Sequence, residues 1–181
     1  GTSGNVVQGN YIGLNAAGTA AVPNGWSGLQ LYGGAQNNTI GGTTAAARNV
    51  ISGNSFQGLF FSDPATRGNV ALGNFIGVNP AGTGAISNGW TGVDCSLGAS
   101  TNIIGGSAPG AGNVVSGNGN YGVNVVGDGN IVAGNLIGLD ATGAAAIPNA
   151  WAGLSLSSAR GNVIGGSAPG AGNVIGANLN Y

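Results

Sequence analysis

Charge is what this sequence has least of. Charged residues fill 4% of 181 positions, and there is no Lys, Glu, His or Met, against about 25% charged in an ordinary globular domain. The charged side chains are Arg48, Arg67, Arg160, Asp63, Asp94, Asp128 and Asp140. Each absence closes a class of function. Three scattered arginines make no basic footprint for nucleic acid. One Cys and no His leave no spaced set of zinc ligands, and the carboxylates are too few for a calcium cage. Without His, neither a Ser-His-Asp nor a Cys-His nucleophile has its base. No apolar run approaches a membrane span, so membrane insertion is not expected. No cofactor or metal is expected. The net charge of −1 is too small to imply a partner. The chain opens on Gly1 with no signal-like segment, as expected of a mature form or an excised piece.

What is there is Gly and Asn, 40 and 24 residues respectively. With 42% hydrophobic residues and little charge, the chain lacks the composition of a disordered one. Periodicity settles the matter. Gly4-Asn5-Val6-Val7-Gln8-Gly9-Asn10-Tyr11-Ile12-Gly13 recurs from Gly68 to Gly77 and again from Gly129 to Gly138. Trp26, Trp90 and Trp151 follow at spacings of 64 and 61 residues. IGGSAPGAGNV occupies 104–114 and, letter for letter, 164–174. The long repeats run approximately over 4–67, 68–128 and 129–181, within one solenoid covering 1–181. A fixed period of this kind marks a solenoid or array.

Each long repeat divides again. A Gly-apolar-x-apolar motif starts at Gly28, Gly58, Gly92, Gly122 and Gly153. An Asn-led alternating pair starts at Asn5, Asn38, Asn69, Asn102, Asn130 and Asn162, in steps of 33, 31, 33, 28 and 32. A third segment takes two forms: Asn49-Val50-Ile51-Ser52-Gly53-Asn54 with relatives at Asn113 and Asn173, and Tyr11-Ile12-Gly13-Leu14 with relatives at Phe75 and Leu136. Alternation with period two is the signature of short half-buried strands, and Gly and Asn at the segment ends suit turns with positive φ. The spacing predicts an all-β parallel β-helix of about six turns, roughly 31 residues and three short strands each.

The segments quoted resemble the right-handed parallel β-helix repeat family, in particular the Asn- and Gly-rich repeats of large bacterial surface and adhesin-like proteins. Their pattern reads N-x-I-G-G…G-N-V-I-S-G-N…G-V-x-I…G-N-x-V-x-G-N-x-I-G, and the match extends along essentially the whole chain. The resemblance implies a right-handed solenoid. Function follows less directly, since the family hosts lyases, hydrolases, spikes, adhesins and plain structural repeats.

Parity assigns side chains to faces. Two columns of the Gly-led strand point inward: Leu29, Leu59, Val93, Val123 and Leu154, then Leu31, Phe61, Cys95, Val125 and Leu156. Cys95 therefore reads as a small buried apolar residue rather than a reactive thiol. Gln30, Phe60, Asp94, Asn124 and Ser155 point outward. The Asn column at Asn5, Asn38, Asn69, Asn102, Asn130 and Asn162 would stack one amide per turn, each hydrogen-bonded up the stack. Asp140 stands where the sister repeats have Asn15 and Asn79, so it reads as a turn residue. The arginines read as loop hydrogen-bond donors.

Two features remain for function. Asp63 and Asp94 are the one pair of carboxylates that adjacent turns would juxtapose, and glycoside hydrolysis needs two carboxyl groups roughly 5–9.5 Å apart. Trp26, Trp90 and Trp151 each follow an Ala-rich loop and an Asn. Parity points them outward, two turns and so about 9.6 Å apart, close to the repeat of an extended β-linked disaccharide. They read either as glycan-stacking residues or as staples holding their loops to the wall.

The ten threonines form no column, which argues against an ice-binding face. No charged segment caps either end, and open strand edges invite another chain to add on. Self-association end to end, or continuation into a longer chain, is the expected partnership, with polysaccharide as the second candidate and nucleic acid excluded. The expected function is a non-enzymatic structural or adhesive repeat module, extracellular or at a bacterial cell surface, stacking end to end into filaments. The alternatives are a non-catalytic carbohydrate-binding module using the Trp row, or the remnant of a polysaccharide lyase or hydrolase.

Overall fold

Segments too short to stand alone gain their partners one turn away. The computed structural model describes residues 1–180; Tyr181, which closes the third long repeat, lies outside them. Among the described residues are seventeen strands of two or three residues each. They form three sheets of six, six and five strands, and each strand pairs in parallel with its counterparts one turn before and one turn after. Residues 45–47 form one short 3-10 helix. The chain is a parallel β-solenoid. It visits the first and second walls six times and the third five times, so the expected six turns become five complete turns and two further strands.

Register follows the inward columns. In the third wall Leu29 pairs with Leu59, Leu59 with Val93, Val93 with Val123, and Val123 with Leu154. A slip of one residue would turn every apolar side chain to solvent, so the alternation holds the pairing. The core is triangular in section. Ile40, Ala71, Ile104 and Val132 come from the first wall, Ile51, Ile76, Val115 and Ile137 from the second, and Phe61, Cys95 and Val125 join the third, all fully buried. Each large side chain so buried contributes about 1.5–3 kcal/mol. Leu29 and Leu154, in the first and last strands of the third wall, are half-buried, and Leu156 is exposed.

A second core lies outside the second wall. In alternate turns the chain leaves that wall, forms an antiparallel bridge (Leu14 to Ala21, Val78 to Ala85, Leu139 to Ala146) and returns toward a Trp. These excursions cover the wall's outward column, so Val50, Phe75 and Val114 are buried together with Val78 and Ile147. Successive excursions touch: the Ala141 N–H donates to the Gly82 carbonyl at 2.9 Å. The intervening turns clip them down. The Ser52 hydroxyl donates to the Val78 carbonyl at 2.8 Å, and the Ser116 hydroxyl to the Leu139 carbonyl at 2.7 Å.

The corners demand glycine. Gly77 has φ +86°, and a Cβ there would collide with the Ser116 carbonyl and Asn118 Oδ1 of the next turn. Only a residue without a side chain fits that combination of handedness and contact.

Candidate functional site

The polar constellation that organises the molecule is made of asparagine. The column from Asn5 to Asn162 is a hydrogen-bonded ladder. Asn69 shows the full pattern. Its Oδ1 accepts from both the backbone N–H and Nδ2 of Asn38, at 3.0 and 2.8 Å. Its Nδ2 donates forward to Asn102 Oδ1 and back to the Ala35 carbonyl, both at 2.9 Å. All four hydrogen-bonding capacities of the amide are used, so complete burial of Asn69 leaves no polar atom unpaired.

Two further ladders stand at the other corners. One runs Asn10, Asn49, Asn74, Asn113, Asn135, Asn173, with forward Nδ2 to Oδ1 distances of 2.9, 2.9, 3.0, 2.9 and 2.9 Å. The other runs Asn24, Asn54, Asn88, Asn118, Asn149, Asn178, at 2.8, 2.9, 2.9, 2.9 and 2.8 Å. Three ladders of six place eighteen of the 24 asparagines. The sequence carried the signal: the Asn of N-V-I-S-G-N and the Asn of G-N-Y-I-G share one corner, although their motifs look different. The first ladder loosens over its last two steps. Asn102 Nδ2 reaches Asn130 Oδ1 at 3.3 Å, and the Nδ2 atoms of Asn130 and Asn162 are buried without a partner. The 3.3 Å contact spans the 28-residue step, the shortest of the column, and the bond that Asn130 Nδ2 does not make belongs to the 32-residue step after it.

The tryptophans belong to a surface column with one member per turn: Trp26, Phe56, Trp90, Asn120, Trp151. Backbone hydrogen bonds of 3.2, 3.1, 3.1 and 3.1 Å link each to the next. Trp26, Trp90 and Trp151 are 55%, 50% and 43% exposed, and Phe56 is 38% exposed. Phe56, not anticipated from the sequence, lies 4.3 Å from Trp26 between ring centroids, tilted by 32°. Each member stands two residues after a ladder Asn, which fixes the column to the corner.

Beside it lies a polar row. Asp94 Oδ1 accepts from Asn124 Nδ2 at 3.1 Å and Oδ2 from Gln57 Nε2 at 3.4 Å, while the Ser27 hydroxyl donates to Gln57 Oε1 at 2.9 Å. Although its column points outward, Asp94 is buried, as is Phe60, while Gln30 is exposed and Asn124 and Ser155 are half-buried. Burial pushes the Asp94 carboxyl above the usual aspartate range, opposed by hydrogen bonds from Asn124, Gln57 and Ser96. Thr91 Oγ1, buried nearby in sequence, has no partner.

Asp63 and Asp94 are not brought together as a pair. Phe60 is the residue paired with Asp94 one turn below; Asp63 lies three residues further on, at φ +76°, and its Oδ2 accepts from Gly33 N in the turn before, at 3.1 Å. Cys95 is fully buried, and burial together with the Asp94 charge pushes its thiol up. Asp140 caps its loop, accepting from Thr142, Ala144 and Ala145, which holds its carboxyl below the usual range. Asn15 does the same for Thr19 and Ala20, and Asn79 for Thr83. Arg48 donates to the Gly73 carbonyl at 3.2 Å and stacks 3.8 Å above the Phe75 ring. Arg67 and Arg160 are exposed at the corner between the third and first walls. Among the described residues no cluster of His, Cys, Asp or Glu could hold a metal, and no helix is long and apolar enough to cross a membrane. Comparison with known protein families, curated proteins and solved structures gives no match.

Proposed function

We propose that this chain is a non-enzymatic structural and adhesive repeat module of an extracellular or bacterial cell-surface protein, a stiff rod that extends end to end. The observation that carries the reading is the shared polarity of the three ladders. Every forward side-chain amide bond runs from a lower to a higher residue number, so Asn5, Asn10 and Asn24 begin as donors and Asn173 and Asn178 finish as acceptors, while Asn162 Oδ1 accepts in the same direction from the backbone N–H of Asn130. Amides stacked one way polarise one another. A turn added before the first rung would present donors to the outward-facing Oδ1 atoms, and a turn added after the last rung would accept from amide hydrogens. The two ends are complementary to each other, so a further turn or a second copy can continue all three corners. The resemblance to Asn- and Gly-rich surface repeats supports the same reading, as does the engagement of Asp94 and Asp140 in local hydrogen bonds.

Negative-stain electron microscopy of the chain over a concentration series tests it. Rods one solenoid wide that lengthen with concentration are expected; short rods of constant length at every concentration contradict end-to-end extension.

A further inference from the structure

The aromatic column has chemistry that a structural rod does not require. Large aromatic side chains on a soluble surface lose contact area that burial would have supplied. Here four of them share one line, with 38–55% exposure, on the same wall of a rigid stack. Their positions are set by backbone hydrogen bonds along the column and by the ladder corners beneath at Asn24, Asn88 and Asn149, of which Asn88 and Asn149 are buried. A surface ordered in advance binds with little ordering cost.

The spacing selects the occupant. Tryptophans recur every second turn, so Trp26, Trp90 and Trp151 are about 9.6 Å apart and the row spans about 19 Å. An extended β-linked polysaccharide turns the same face of its sugar rings outward once per disaccharide, at nearly that repeat. The flat C–H faces of the rings stack on indoles, and the ring edges carry hydroxyls. The neighbouring polar row supplies partners for those hydroxyls: Gln30 is exposed, and Asn124 and Ser155 are half-open. Charge selects within that class. The one ionisable group of this polar row is Asp94, and the exposed Arg67 and Arg160 lie beyond the far end of the third-wall strands. Such a wall offers nothing to an acidic polymer.

We propose that Trp26, Phe56, Trp90 and Trp151 form a binding platform for one neutral β-linked polysaccharide chain lying parallel to the solenoid axis. Alternate sugar rings rest on the tryptophans, and Gln30, Asn124 and Ser155 hydrogen-bond the hydroxyls at the edge. The site uses the side wall alone, so it stands whether or not the rods extend end to end.

Titration of the full chain with cellobiose, cellotetraose and cellohexaose, followed by tryptophan fluorescence and calorimetry, tests the platform. Polygalacturonate serves as the acidic comparison. Affinity is expected to rise with chain length as successive tryptophans are reached, with polygalacturonate bound far more weakly. Trp90→Ala, at the centre of the row, should weaken cellohexaose binding by about tenfold or more, the loss typical of a central anchor. Trp90→Leu keeps apolar bulk for the wall but removes the stacking face, so it should lose binding while keeping the wild-type circular dichroism. No binding of the cello-oligosaccharides would overturn the proposal. So would equal binding by Trp90→Leu, equal binding of polygalacturonate, or quenching of the tryptophans by dimerisation without sugar.

Discussion

A buried asparagine is costly unless every one of its hydrogen bonds is made. Asn88 makes them all: Asn54 donates twice to its Oδ1, and its Nδ2 donates to Ile51 and Asn118. Asn88→Ala strands donors and acceptors in two neighbouring turns and should lower unfolding stability by roughly 3–5 kcal/mol. Asn130→Ala, where neither hydrogen of Nδ2 has a partner, should cost clearly less; urea denaturation of the two variants compares them. The two displaced aspartates act in opposite directions. Asp94 is raised, so the folded state holds its proton more tightly than the unfolded chain does. Stability is therefore gained as pH falls from above the raised value into the ordinary aspartate range. Asp140 is lowered, so its contribution is full above that range and is lost as pH falls below it. Urea midpoints against pH should rise on mild acidification and then fall, and Asp94→Asn should remove the rise while keeping the fall.

At the scale of the element, the excursions give the second wall its outer cover. Phe75 joins three parts of it: it is buried against Val50 and Val114, it lies beneath Arg48, and its ring edge approaches Gly82 of the loop above. Phe75→Ala should destabilise by about 3–5 kcal/mol, and limited proteolysis should cut first within residues 78–85. This cover was not legible in the sequence. The Ala-rich stretch lacks a period of its own, and its apolar members, Val78 and Ile147, sit far apart in the chain. The inward columns were legible, because stacking puts like residues at like positions: Leu59, Val93 and Val123 could be aligned without knowing any contact. Of the three ladders, one was read directly. In the second, rungs are separated by 39, 25, 39, 22 and 38 residues, because excursions lengthen alternate intervals, and that irregularity hides a geometric period of one turn. The Trp positions were legible from their spacing. Phe56 was not, because Asn120 takes its place in the corresponding later turn. The Asp63 and Asp94 pairing failed for a local reason: Asp63 lies past the strand, at a turn with positive φ.

On the scale of the whole molecule, each turn contacts its neighbours and little else, so stability is a sum of turn and interface terms. Almost every polar corner atom is answered by the adjacent turn, which makes the three ladders the common frame of core, excursions and aromatic wall. A rod built this way should open least in the middle. Side-chain amide hydrogen exchange, read by NMR residue by residue, tests this most directly. The Nδ2 protons of Asn69, Asn74, Asn88, Asn113 and Asn118 should be strongly protected, while Asn120, on the aromatic column and outside the ladders, should exchange fast. Ladder amides that exchange as fast as Asn120 would contradict the account, for the corners would then be open to water and the ladders could not hold the rod.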